Sequence, residues 1–268
     1  MTERVERMRD QAVDAVQRGQ EAAARGVEVA QDAASRRVEA ARVGAAEAAD
    51  RAAAVVARVK PRLRGVIHEY AFWTAILLGA ILVAASSGRE RLATTIYALG
   101  ICGLFGVSAL YHRHDWAPKG RAWMRRLDHS MIFVFIAATF TPFALLVLKG
   151  ALATTILAVV WGGALAGVVL SLAWVNAPKW VSAIVYVTLG MVAVVTVPEL
   201  WTSLGWLPVL GLALGGALYT TGAVIYATGR PDPRPQTFGY HEIFHTLVTG
   251  AAGAHYAVIA FAVLPFAK

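Results

Sequence analysis

The sequence predicts an all-α membrane protein: a seven-transmembrane helix bundle preceded by a long cytoplasmic amphipathic helix. Composition is the first reason. Of 268 residues, 57% are hydrophobic and only 16% charged, too apolar for an ordinary soluble domain. The second reason is how the charges are distributed. Residues 1–60 carry 11 Lys/Arg and 10 Asp/Glu, a net of 11 − 10 = +1, whereas residues 61–268 carry 14 against 7, a net of +7 over a much longer stretch. The third is a series of apolar runs at Tyr70–Ser86, Leu92–His112, Asp128–Leu148, Ala151–Trp174, Trp180–Val197, Leu207–Thr228 and Tyr240–Phe266. Each is roughly the 20 residues a helix needs to cross a hydrocarbon core.

Residues 1–59 form a charged N-terminal extension and 60–268 the membrane domain. The extension has no proline and is rich in Ala, Arg and Glu, all strong helix formers. Valine recurs every eleven residues, at Val5, Val16, Val27 and Val38, each followed by Glu or Gln. That period keeps one face in register along a nearly straight helix. The face is Ala and Val without Trp, Phe or Leu, so deep insertion into lipid is not expected, and a partner helix for residues 1–59 is an alternative to a solvated helix. The stretch also lacks the apolar core and cleavage site of a signal peptide. A basic collar, Lys60-Pro61-Arg62-Leu63-Arg64, then leads into the first span.

The short loops fix the expected orientation. On the side of the extension lie Arg113, Lys119, Arg121, Arg125, Arg126, Lys179, Arg230 and Arg234; the opposite side holds Arg89, Arg91, Lys149 and Lys268. The positive-inside rule then gives a multi-pass protein of the plasma membrane, its N-terminus cytoplasmic and Lys268 outside. Trp73, Trp116, Trp123, Trp180, Trp201 and Trp206 fall near span ends, as an interfacial belt requires. Gly162-Gly163 with Gly167, and Gly211 with Gly215-Gly216, suit close helix packing in lipid. The basic residues sit between apolar runs rather than in one patch, so no nucleic-acid partner is expected. The single cysteine, Cys102, excludes an internal disulfide and leaves any metal site to histidine and carboxylate.

Ionisable groups at membrane depth mark functional sites by default. Here they gather at one end. Ser108 and His112 lie one turn apart at the close of the second span, Asp128 opens the third, and His241 and His245 open the seventh. Histidines four apart on a helix differ by about 40° and 6 Å, so both can reach one ion. His241-Glu242-x-x-His245 also fits the bare zinc metalloprotease pattern, but the extended form would need histidine where Ala251 stands. A third ligand must therefore come from earlier in the chain, and His112 is at the right depth. Three neutral imidazoles suit Zn2+ with one open position, Asp128 can act as a proton acceptor there, and Ser108 can hydrogen-bond a neighbouring group or a substrate oxygen. His255 is about 15 Å further along its helix and is read as packed or hydrogen-bonded. His114 and His129 are read as structural. Glu242, turned about 100° from His241, is read as an interfacial charge facing the basic loops.

Ser-x-x-x-His closing the second span, Asp opening the third and His-x-x-x-His opening the seventh resemble the hemolysin III family. That family is grouped with the progestin and adiponectin receptors and, more distantly, the alkaline ceramidases. The likeness runs from about Pro61 to the C-terminus and includes Tyr111-His112, Leu127-Asp128-His129-Ser130 and Thr139 to Pro142. It implies an intramembrane zinc on His112, His241 and His245, with Asp128 near the metal's water and Ser108 beside it. Where family members often show an Asn-x-x-Thr-His-like stretch, this chain reads Gly65-Val66-Ile67-His68-Glu69-Tyr70, and no role is assigned to His68 or Glu69. The leading expectation is a zinc-dependent hydrolase of a lipid amide or ester bond, with a membrane lipid as substrate. A receptor-like or membrane-homeostasis protein with structural zinc is the alternative. A cytolysin ranks third, because seven spans without a secretion signal keep a protein in its own membrane.

Overall fold

The computed structural model describes residues 31, 34–45, 47–48, 61–174 and 176–268. The chain divides into two units, Met1–Lys60 and Pro61–Lys268. In the first, residues 34–45 are helical and exposed throughout. Val38 belongs to this helix; Val5, Val16 and Val27 lie outside the described residues.

The second unit is helical, and the described residues include seven spans long and apolar enough to cross a membrane. They comprise α1 (Val66–Ala84), α2 (Gly88–Arg113), α3 (Pro118–Leu146), α4 (Gly150–Ala173), α5 (Lys179–Gly190), α6 (Ala193–Leu204), α7 (Trp206–Thr228) and α8 (Tyr240–Val258). The last continues through a π turn, Ile259–Val263, to Leu264–Ala267. The seven-helix bundle expected from the sequence is thus observed. Two of its boundaries are corrected by the structure.

The third span starts at Pro118, so Asp128 lies three turns inside α3 rather than at its opening. Pro118 sits at the first helical position, where its missing N–H and fixed φ cost nothing. The added turns carry Lys119, Arg121, Arg125 and Arg126, whose charges hid the helix from a search for apolar runs.

The fifth span is split into α5 and α6. Pro198 lies in α6, and a proline ring clashes with the carbonyl four residues earlier, here Val194, just past the break at Met191-Val192.

Spans α2 and α3 form the centre: 56% of the apolar stretch of each is buried, against 17% for the α5–α6 span. Packing follows chain order from α1 to α4, while α7 joins α8, α8 returns to α1, and α5 leans on α7. Leu77, Leu99, Leu165, Val195, Leu207 and Phe261 point outward, the lipid-facing coat such a bundle needs. Glycines set several of the close approaches. A Cβ on Gly163 would meet Leu189, on Gly167 Phe133, on Gly211 Val258 and on Gly215 His255, whereas Gly162 and Gly216 have open space. Trp123, Trp180, Trp201 and Trp206 are exposed, as an interfacial belt would have them.

Candidate metal centre

The expected ligands converge. His112 ends α2, and His241 and His245 occupy the first two turns of α8. One ring nitrogen from each lies within 4.8 Å of the others, and His112 Nε2 and His241 Nε2 are 3.1 Å apart. With Zn–N bonds of about 2.0–2.1 Å, tetrahedral ligands stand about 3.3 Å from one another. The pair spacing and the all-imidazole donor set therefore fit zinc. Asp128 Oδ2 approaches to 3.9 Å from His112 Nε2, with its side chain 13% exposed.

The N-terminus of α8 is held by a buried network. Glu242 accepts from Gly239 N–H (2.8 Å) and from Arg64 Nε (2.6 Å), and its side chain is 1% exposed. The sequence reads Glu242 as an interfacial charge facing the basic loops; in the structure the glutamate is buried, and its basic partner is Arg64 of the collar before α1. Its role is to cap the helix that carries both histidines. Asp232 Oδ1 accepts from Tyr240 N–H at 2.9 Å, and Lys179 donates to the Tyr240 hydroxyl at 2.7 Å, tying the start of α5 to the same rim. Arg62 N–H and Leu63 N–H donate to the Gln236 and Thr237 carbonyls, so this part of the collar lies along the loop between α7 and α8.

Sequence reasoning missed His68. It is buried in the first turn of α1, stacks on His245 with ring centroids 3.8 Å apart and planes 5° from parallel, and places Nδ1 2.9 Å from Ser108 Oγ. The only signal was an ionisable residue two positions before the first apolar run, close to membrane depth where such groups are costly. Gly65, with φ +79°, brings this turn against α2, since a Cβ there would stand 2.6 Å from His112 Cβ.

The other histidines lie apart. His114 caps α2 and meets Trp116 edge-on. His255 Nε2 donates to the Leu212 carbonyl oxygen at 3.3 Å. His129 lines the cavity beside Asp128. That cavity, about 680 Å³, opens from His68, Ser108, Asp128, His241 and His245 and runs between α3, the α5–α6 span, α7 and α8 over mostly apolar walls.

Comparison with known proteins places this architecture. The family described as Haemolysin-III related matches residues 56–256, reaching a few residues into the extension. The hemolysin-3 homolog of Bacillus subtilis is 32% identical over 187 residues, 69% of this chain and 84% of its own length. Hemolysin-3 of Bacillus cereus is 31% identical over 194 residues, 72% of this chain and 85% of its own. The human monocyte to macrophage differentiation factor is 28% identical over 200 residues, 72% of this chain and 79% of its own.

Proposed function

The chain belongs to the haemolysin III family of integral membrane proteins, and on that premise we propose that it is a zinc-dependent hydrolase of a lipid amide or ester bond. The observation that carries the reading is the grouping of His112, His241 and His245, with Asp128 3.9 Å from His112 and with His241, His245, Asp128 and Ser108 all lining one apolar cavity. His112, His241 and His245 would hold the metal. Zinc in such a set supplies a Lewis acid that polarises a carbonyl and makes water more acidic.

The protein's own residues account for the rest. Asp128, beside His112 and facing the cavity, takes the proton from an attacking water. Ser108 accepts from His68 Nδ1–H in the tautomer that leaves its own hydroxyl hydrogen free, and donates it to the developing oxyanion. The aliphatic part of the lipid fills the cavity, whose walls keep bulk water from the scissile bond. By the positive-inside rule the metal-bearing end faces the cytoplasm and Lys268 lies outside.

Metal analysis of detergent-purified protein tests the first step. We expect about one zinc per chain in the wild type and its loss in His245→Ala. Asp128→Ala should keep the zinc and lose turnover of ceramides and other acyl lipids by at least about 100-fold. A metal-free wild type under chelator-free handling overturns the reading. A zinc-loaded protein inert on acyl lipids, with Asp128→Asn silent in the cell, would instead favour a receptor-like or homeostatic protein with structural zinc.

A further inference from the structure

A second group of polar atoms lies at the far end of the cavity, and nothing in the proposed hydrolysis uses it. Tyr219 on α7 and His255 on α8 both line the cavity, their rings edge-to-face with centroids 5.5 Å apart. The Tyr219 hydroxyl oxygen and His255 Nδ1 are buried and have no hydrogen-bond partner among the described residues. Buried polar atoms are nearly always paired, because an unpaired one forfeits its hydration without return. The surroundings hold the histidine in place: Nε2 lies 3.3 Å from the Leu212 carbonyl oxygen, and a methyl group on Gly215 would overlap that nitrogen. Only an N–H can satisfy a carbonyl, so Nε2 carries the proton and Nδ1 is left as a bare acceptor. Tyr219 can donate or accept.

We propose that this end of the cavity is a subsite for a hydroxyl group carried on the aliphatic chain of the ligand, formed by His255 Nδ1 and the Tyr219 hydroxyl. A hydroxyl fits both atoms at once, donating to Nδ1 and accepting from Tyr219. A keto oxygen would satisfy Tyr219 and leave Nδ1 unpaired, and a bare methylene would satisfy neither. Position along the chain follows from the helix. His255 lies ten residues past His245, about 15 Å along the axis of α8. An extended alkyl chain advances about 1.3 Å per carbon, given C–C bonds of about 1.5 Å. The recognised hydroxyl therefore sits near the twelfth carbon from a carbonyl held beside Asp128. The substrate class is an acyl lipid hydroxylated far along its chain, and in this the inference rests on the lipid-hydrolase reading above.

The test is binding rather than turnover. Full-length protein in detergent would be titrated with stearic, 12-hydroxystearic and 2-hydroxystearic acid, each displacing a fluorescent fatty acid. We expect 12-hydroxystearic acid to bind about tenfold more tightly than the other two, the gain from two added hydrogen bonds to neutral groups. Tyr219→Phe, which removes one of the two partners and keeps the ring, should cut that preference to about threefold and leave stearic acid affinity unchanged. Equal affinity of the wild type for stearic and 12-hydroxystearic acid overturns the subsite, as does an unaltered preference in Tyr219→Phe. A protein selective for the 12-hydroxy chain yet inert on every acyl lipid would keep the subsite and discard the hydrolase. If no fatty acid binds, both readings fall.

Discussion

At the scale of single residues, the site depends on His68 and Gly65 as much as on the three candidate ligands. His68 lies flat against His245 and reaches Ser108, so it fixes the orientation of one ligand and the rotamer of the proposed oxyanion donor. His68→Phe keeps a flat ring against His245 and removes the hydrogen bond. Its zinc content should match the wild type while lipid turnover falls about tenfold, in the range typical of changes to groups that orient a metal's ligands. Ser108→Ala removes the proposed oxyanion donor itself and should cost more, about 100-fold, and adding His68→Phe should cost little beyond that, because the hydrogen bond it deletes is already gone; additive losses would show that the two residues act separately. Gly65→Ala should be worse than its size suggests. The left-handed backbone costs a non-glycine residue about 1–2 kcal/mol, and the new Cβ would press on His112. Lower zinc occupancy together with a lower melting temperature is the expected result. The convergence of the three histidines, Asp128 and Ser108 was legible in the sequence because helical spacing and the ends of the apolar runs put them at one depth, although Asp128 proves to lie inside a longer helix. His68 was not, because its stacking partner is 177 positions away and no local pattern announces the contact.

At the scale of elements, the apolar runs located every span but misjudged where charged helix continues beyond lipid. The extra turns of α3 show this: four basic residues precede Asp128 on a helix whose polar start is as regular as its apolar body. The split of the α5–α6 span was encoded in Pro198, although its effect appears one turn upstream of the proline itself. The cap of α8 was half legible. Glu242 stands at the third helical position, where a side chain folds back on the first backbone N–H, but the sequence could not show that Arg64 buries it. Arg64→Ala leaves that carboxylate without its cation and should lower stability by about 2 kcal/mol, less than for a fully buried pair because the Arg64 side chain is 24% exposed. Adding Glu242→Gln to Arg64→Ala should recover part of the loss, read as the melting temperature in detergent. A double variant no more stable than Arg64→Ala alone would mean that the pair acts through geometry and not through charge.

At the scale of the whole molecule, the cavity is the feature no sequence pattern could reveal. It lies between α3, the α5–α6 span, α7 and α8. A gap between helices is a property of their mutual distances, which hydropathy does not encode. Orientation is the reverse case: the sequence predicts it, and helix packing alone has no inside or outside. After the first span, the loops and adjoining helix ends on the metal-bearing side hold eight Lys/Arg against four at the opposite end, so the positive-inside rule predicts that the histidines face the cytoplasm. Alkaline phosphatase fused after Lys268 should then be active outside the cytoplasm, while a fusion at Pro178, between the fourth and fifth spans, should be inactive. The reverse pattern would put the proposed catalytic groups at the outer face. The site's geometry would be unchanged, but its lipids would have to come from the opposite leaflet.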